Sequence, residues 1–155
     1  MHPKKVKQMR GQQLSVCLMV ETENSMMCTS WNRSWKGGCC DYTALPLYPS
    51  QYTDCSVSDC LREFFDWEPV DGGLCKTCGS TNTIVISPVS MNTPDILMVQ
   101  IVRLSQSSRQ KNQRSVTVNK SVTLGSVEYE AVGVLYIPLN SIPKPCWRKV
   151  TFSSV

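Results

Sequence analysis

The segment Ile96-Leu-Met-Val-Gln-Ile-Val-Arg-Leu104 decides the fold class of this 155-residue chain. Leu97, Val99 and Ile101 fall on one face of an extended strand, and most of the alternate positions are apolar as well. Apolar residues on both faces are typical of a strand inside a sheet that is covered on two sides. This segment is only strand-length, and no apolar run approaches the ~18 residues that span a membrane.

One helix is predicted upstream of this strand, from about Ser56 to Phe65. Ser56 is a favourable N-cap residue, and Asp59 three positions later supplies the acidic partner of a weak capping box. Pro69 and Gly72-Gly73 end the segment. The apolar positions recur at i, i+3, i+4 and i+7, which places them on one helix face. These positions are Val57, Cys60, Leu61 and Phe64.

Further strands are expected after the helix, whereas the chain before it is expected to be irregular. Strand patterns cover residues 83–86, 116–118 and 128–136. Residues 14–54 are punctuated by Gly37-Gly38 and by prolines, so we predict no regular element there from periodicity. The predicted fold class is α+β with strands dominant, one helix followed by mostly antiparallel strands.

Composition indicates a globular protein with reduced thiols. Hydrophobic residues make up 41% and charged residues 18%, which is ordinary for a packed domain. The chain has nine cysteines. The apolar stretch 16–20 is too short for the core of a secretory signal. We therefore expect an intracellular protein, in the cytoplasm or nucleus, whose cysteines are free or bind metal.

The formal charge of +4 is spread unevenly. Residues 41–75 carry seven acids and one base, Arg62, whereas residues 96–127 carry five bases and no acid. The basic stretch lacks interleaved aromatic residues for base stacking, so we read it as a solvated loop rather than a nucleic-acid site. The acidic stretch suits a basic partner.

The segment Cys75-Lys-Thr-Cys78-Gly79 has the spacing of a zinc knuckle, since two thiolates on one tight turn can bind the same metal ion. The best upstream match is Cys28-Thr-Ser-Trp31, in which an indole that cannot bind zinc stands at the second ligand position. We predict Cys28, Cys75 and Cys78 as ligands of a structural zinc. Cys39 or Cys40 could supply a fourth ligand, although neither has the C-x-x-C spacing.

Other interpretations of the cysteines remain open at this stage. Cys75 and Cys78 could be ordinary thiols in a turn, or a redox pair, although the βαβ context of thioredoxin-like motifs is absent. Cys17, Cys55 and Cys60 are expected to be small apolar core residues.

The order of these motifs resembles the ubiquitin-specific protease family of deubiquitinating enzymes. The resemblance covers roughly residues 11–136 and matches the family's zinc-ribbon fingers and the palm strands that follow them. It implies a partial papain-like domain without the helical thumb. The matching motifs, in chain order, are Cys28-x-x-Trp31, a strand at Leu45-Pro46-Leu47, the helix 57–65, Glu68-Pro69-Val70, Cys75-x-x-Cys78, Pro94 to Leu104, Lys111 and Tyr129 to Val134.

The catalytic motifs of the family are missing from this sequence. Family members use a cysteine nucleophile, from a box that precedes the fingers, and a histidine that activates it. No such box stands before Cys28, and Pro145-Cys146-Trp147 occupies the expected place of the histidine. Cys146 cannot replace imidazole as a general base. His2, the one histidine, lies in a basic tail. We assign no catalytic residue.

Three functional hypotheses follow from the resemblance and its gaps. The first is an inactive deubiquitinase-type fragment that binds ubiquitin or ubiquitinated proteins weakly. The second is part of a longer, active hydrolase. The third is a small zinc-ribbon interaction module unrelated to ubiquitin. We divide the chain into a basic extension (1–13), the fingers-and-palm region (14–136) and a divergent C-terminal segment (137–155), and expect exposed palm surface to make the chain poorly soluble.

Overall fold

The computed structural model describes residues 17–103, 111–136 and 147–154. Over these ranges the chain forms eleven strands and one short helix. In chain order they are β1 (Val20–Cys28), β2 (Arg33–Tyr42), β3 (Leu45–Leu47), β4 (Cys55–Ser56), α1 (Val57–Phe64), β5 (Glu68–Pro69), β6 (Ile84–Ser90), β7 (Ile96–Val102), β8 (Val116–Thr117), β9 (Ser121–Leu124), β10 (Val127–Tyr136) and β11 (Trp147–Ser154).

Two larger sheets and one strand pair organise these elements. The first sheet has the order β2-β1-β6-β5 and is antiparallel throughout. The second sheet has the order β3-β7-β11-β10-β9, in which only the β3–β7 pair is parallel. Strands β4 and β8 form a short parallel pair. The prediction of a strand-dominated α+β fold is confirmed.

The main core lies between the second sheet and α1. Tyr129 and Phe152 are the largest side chains with no solvent exposure, and the Tyr129 hydroxyl donates a 2.9 Å hydrogen bond to the carbonyl of Pro94. That bond satisfies a polar group that would otherwise be costly to bury. Val57, Cys60 and Leu61 form the buried face of α1, the face that the helical periodicity predicted.

Strand β7 confirms the strand predicted from residue 96 onward, with one correction. It has neighbours on both edges, and its Leu97, Val99 and Ile101 are almost fully buried. The opposite face is only half-buried at Ile96 and Met98. Val102 on that face is buried as well, so the prediction of a strand covered on both sides holds in part, because the main core packs against the Leu97 side.

The prediction that residues 14–54 are irregular was wrong. Most of this region forms the antiparallel β1–β2 pair, followed by β3 at the edge of the second sheet. Between the pairs Glu23–Cys39 and Ser25–Lys36, β1 contributes Asn24 and β2 contributes Gly37 and Gly38. The glycines thus form a bulge within a strand rather than a turn. A Cβ at Gly37 would lie 3.0 Å from the Cβ of Asn24, so the close approach requires glycine.

Strand β11 was not predicted at all, although it lies inside the second sheet between β7 and β10. Val150 and Phe152 are buried, whereas Thr151 and Ser153 between and after them are half-buried. This alternation is ordinary for a strand with one covered face. The C-terminal part of the chain therefore contributes an interior strand to the fold.

The remaining strand predictions are confirmed with shifted ends, at Ile84–Ser90, Val116–Thr117 and Val127–Tyr136. Strand β9 was not predicted. Residues 1–13, 104–110 and 137–146 lie outside the described residues. No helix among the described residues is long and apolar enough to cross a bilayer.

Helix α1 begins with a complete capping box, which is stronger than the weak form predicted. The backbone N–H of Asp59 donates to the Ser56 hydroxyl, and the backbone N–H of Ser56 donates to the Asp59 carboxylate. The Ser56 hydroxyl and the Ser56 backbone N–H both donate to the Asp59 carboxylate, and these two bonds lower the pKa of Asp59. Two of the four unpaired N–H groups at the helix start are thereby satisfied.

Replacing Ser56 with alanine is expected to lower the free energy of unfolding by about 1 kcal/mol, because the N-cap acceptor is lost. Chemical denaturation measures this change. The exposed Ser115→Ala variant is the control and should stay within about 0.5 kcal/mol of the parent. Equal stability of the parent and the Ser56 variant would contradict the cap.

Candidate metal centre

Three cysteines converge at the far end of the first sheet from the main core. The Sγ atoms of Cys28, Cys75 and Cys78 all lie within 4.8 Å of one another, and those of Cys28 and Cys78 are 3.6 Å apart. Tetrahedral zinc–thiolate bonds of about 2.3 Å place neighbouring sulfurs about 3.8 Å apart. The spacing of the three thiols therefore fits a single metal ion, and the structure brings together the three ligands that the sequence predicted.

A tight turn positions Cys75 and Cys78. The N–H of Gly79 donates to the carbonyl of Cys75 (2.8 Å), and the N–H of Cys75 donates to the carbonyl of Ser80 (3.0 Å). Gly79 has a φ of +72°, a conformation that glycine adopts without steric cost. An antiparallel bridge between Leu74 and Thr81 closes the loop.

Cys28 ends β1 and pairs with Ile84 at the start of β6. Cys28, Cys75 and Ile84 form a small second core, on which Met26, Val70 and Cys78 pack. The pairing of β1 with β6 thus brings the first ligand to the turn that carries the other two. Pairing of β1 with β6 thus closes the long sequence separation between Cys28 and Cys75.

Cys39 and Cys40 cannot complete the cluster, which corrects the alternative considered from the sequence. Strand register places Cys39 opposite Glu23, whereas Cys28 pairs with Arg33. The five residues from Glu23 to Cys28 span about 17 Å of extended strand. That distance far exceeds a metal–ligand bond.

Two polar residues near the cluster were missed from the sequence. The Ser80 hydroxyl and backbone N–H bond the Cys78 sulfur and lower the pKa of its thiol to about 7. The Thr83 hydroxyl lies 3.6 Å from the Cys28 sulfur. In the sequence, the one signal of the contact between Ser80 and Cys78 was a serine directly after Gly79.

In the metal-free protein, Cys78 is expected to react with iodoacetamide at a rate that is half-maximal near pH 7, because the thiolate is the nucleophile. Mass spectrometry of peptides after timed labelling in chelator measures this. Burial raises the pKa of Cys60 to about 12, so Cys60 should stay unlabelled as the internal control. Half-maximal labelling of Cys78 above about pH 8.5 would contradict the lowered pKa.

The other cysteines form no metal cluster among the described residues. Cys60 is buried as predicted, Cys55 is partly buried beside it with the two sulfurs 3.5 Å apart, and Cys17 is exposed. The prediction that Cys17 is a core residue was wrong. Cys146 stands where the catalytic histidine was expected, and it lies outside the described residues. His2 lies outside them as well.

An acidic cleft of about 230 Å³ is lined by residues of α1 and of strands β1, β5 and β6. Glu63 and Glu68 contribute carboxylates to it, and Phe64, Ile86 and Tyr48 contribute apolar surface. Both glutamates are exposed and belong to the acidic stretch seen in the sequence. A cleft with this lining suits a basic side chain that carries an apolar stem.

Comparison with known proteins gives a likeness of fold. No family model matches the sequence, and no curated protein matches it. A chain of the SAGA Ubp8/Sgf11/Sus1/Sgf73 DUB module bound to ubiquitin aldehyde is similar, with a TM-score of 0.66 and 14% identity over 90% of this chain and 42% of that one.

Two further solved structures show the same likeness of fold. A chain of the same SAGA DUB module bound to monoubiquitin has a TM-score of 0.68 at 14% identity, over 90% of this chain and 41% of that one. A yeast SAGA DUB module with an Sgf73 mutant gives 0.65 at 19% identity, over 90% and 37%. The protein therefore has the fold of part of a chain in these modules, and it spans about two fifths of the length of those chains.

Proposed function

We propose that this chain is a ubiquitin-specific-protease-type module that binds ubiquitin weakly and does not cleave it. The observation that carries the proposal is the fold. Ninety per cent of the chain superposes on part of a chain in modules solved with ubiquitin aldehyde and with monoubiquitin. In a longer parent chain, the same region would belong to a ubiquitin carboxyl-terminal hydrolase.

The acidic cleft supports ubiquitin as the partner. Ubiquitin's binding face and tail carry lysine and arginine, and Glu63 and Glu68 supply opposite charge beside an apolar wall. Such complementarity steers association and specifies the partner more than it adds affinity. Contact through this cleft engages only one side of ubiquitin, so we expect a dissociation constant of about 10⁻⁴ M or weaker, or about −5.5 kcal/mol.

No histidine stands among the described residues, which supports the proposed lack of cleavage. A cysteine nucleophile needs a base within hydrogen-bond reach, and the sequence has one histidine, His2. Cys60 is protonated at neutral pH because burial raises its pKa to about 12. Hydrogen bonds from Ser80 lower the pKa of Cys78 to about 7, but its sulfur lies within the cysteine cluster.

Zinc is the metal that the cluster fits best. Thiolates are soft ligands, and three of them on a turn and a strand end supply three of the four donors of a structural zinc site. Bound zinc would hold the Cys75–Cys78 turn against the end of β1. We place the module inside the cell, in the cytoplasm or nucleus, where its thiols stay reduced.

A ubiquitin-derived electrophile tests the proposal, because it modifies a cysteine only where ubiquitin's tail meets an activated thiol. We expect reversible binding of unmodified ubiquitin by calorimetry and no covalent adduct with the electrophile by mass spectrometry. An active deubiquitinase is the positive control. An adduct at Cys146 or at any other cysteine would overturn the claim that the chain does not cleave.

The second candidate is a zinc-ribbon interaction module unrelated to ubiquitin. It is favoured by the separation of the cysteine cluster from the main core, since the two form distinct groups of buried residues. A chain that binds zinc but shows no heat of binding to ubiquitin would select this candidate.

A further inference from the structure

We propose that the cysteine cluster provides three ligands to its metal and leaves the fourth coordination position open to an exogenous imidazole. The inference rests on the proposed zinc centre and goes beyond it, because it names a ligand that the described part of the chain does not supply. A histidine side chain of a partner and a free imidazole share this chemistry.

The first step is a comparison of the two turns that bring ligands to the cluster. In Cys75-Lys-Thr-Cys78-Gly79, the residue after the second ligand has a φ of +72°. In Cys28-Thr-Ser-Trp31-Asn32, the residue at the same place has a φ of +49°. In both turns, the residue directly after Cys78 or Trp31 has a left-handed backbone conformation. The Cys28 turn thus shares this backbone feature with the Cys75 turn and carries Trp31 where that turn carries Cys78.

The second step is that Trp31 does not act as a ligand. Its side chain is 54% exposed, and the Arg33 guanidinium lies 5.7 Å from the ring centroid. An indole nitrogen carries a hydrogen and offers no lone pair to a metal. The indole therefore occupies the sequence position of a ligand, packed against a neighbouring cation, without supplying a donor atom.

The third step is that no other donor within the described residues replaces it. Cys28, Cys75 and Cys78 are the full set of His, Cys, Asp and Glu groups there that could meet at this point. The Thr83 hydroxyl lies 3.6 Å from the Cys28 sulfur, but a neutral hydroxyl is not among the ligands that zinc takes from proteins.

The net charge of three thiolates and a divalent metal ion favours a neutral fourth donor. Three thiolates and a divalent ion sum to one negative charge, and a fourth thiolate would raise this to two. A neutral imidazole completes the set without added repulsion, and three cysteines with one histidine form an established structural donor set. Cys28 and Cys75 are 1% and 3% exposed, whereas Cys78 is partly exposed. Cys78 is therefore the thiol on the side that solvent reaches.

Cobalt(II) in place of zinc reports the coordination set through its visible absorption, under a reductant that is not a thiol. For the parent chain, we expect saturable spectral shifts on titration with imidazole at one equivalent per bound cobalt. The Trp31→Cys variant should bind cobalt at least about tenfold more tightly, or ~1.4 kcal/mol, and should not respond to imidazole. Tyr52→Cys, at an 85% exposed position, is the matched control and should behave like the parent.

A His2→Ala variant tests whether the chain's own histidine fills the fourth position. If the parent spectrum is insensitive to imidazole and the variant spectrum responds, the chain's own histidine completes the site, and a position open to an exogenous imidazole is refuted. If neither chain responds although cobalt is bound, the open position is refuted and the metal centre stands. Failure to bind cobalt would refute both the open position and the metal centre. Ubiquitin binding is measured separately, and neither result affects it.

Discussion

Replacing Phe152 with alanine is expected to lower the free energy of unfolding by about 3–5 kcal/mol. Phe152 has no solvent exposure, and it pairs with Leu97 on β7 and with Ala131 on β10. Truncation removes most of its buried surface and leaves a cavity between strands that are held from both sides. Domains of this size are commonly stable by only 5–15 kcal/mol, so the loss is a large fraction of the total.

Urea denaturation followed by circular dichroism measures this loss. Thr151→Ala is the matched control, because Thr151 is the preceding residue of β11 and is half-buried on the opposite face. The control is expected to change the stability by less than about 1 kcal/mol. Equal effects of the two substitutions would contradict the placement of β11 in the interior of the second sheet.

Replacing Cys75 with serine is expected to abolish stoichiometric zinc binding. The variant keeps two of three thiols of the cluster, and Cys75 is a buried cysteine around which the turn is hydrogen-bonded. At free zinc one hundred times the dissociation constant, binding stabilises the folded chain by about 2.7 kcal/mol, and the variant should lose this amount. Mass spectrometry of the native protein and thermal unfolding with and without chelator give the two readouts.

Cys39→Ser is the control for the metal prediction. Cys39 is exposed on β2, and strand register keeps it far from Cys28. The control should keep one equivalent of zinc and the stability difference between loaded and chelated protein. Full zinc binding by the Cys75 variant, or loss of zinc from the Cys39 variant, would contradict the assigned ligands.

Local signals were sufficient for the helix and for the cysteine turn. Ser56, Asp59 and the apolar positions of α1 lie within one short segment, so capping and periodicity could be recognised without knowledge of the fold. The Cys75–Cys78 turn is likewise defined by its own spacing and by Gly79.

Sheet pairing explains what the sequence did not reveal. Residues 20–28 read Val-Glu-Thr-Glu-Asn-Ser-Met-Met-Cys, and their strand forms because β2 and β6 pair with both edges. Gly37-Gly38 has the local signature of a turn, and only the register of β1 and β2 shows it to be a bulge. The exclusion of Cys39 from the metal cluster depends on the same register.

The C-terminal strand shows a different limit. Val150 and Phe152 alternate with the half-buried Thr151 and Ser153, so a short alternating pattern was present within this strand. A strand of this length cannot be distinguished by periodicity alone from an unpaired extended segment. Its position between β7 and β10 follows from long-range pairing, which a single sequence does not display.

Titration of ¹⁵N-labelled ubiquitin with the chain, followed by NMR, tests the central claim most directly. We predict fast-exchange shifts that localise to one basic face of ubiquitin. The double variant Glu63→Lys and Glu68→Lys should weaken binding by about tenfold, or ~1.4 kcal/mol. The matched control, Glu128→Lys with Glu130→Lys on exposed positions of β10, should leave the affinity unchanged. Ubiquitin resonances that do not move at millimolar concentrations of the chain would contradict the account.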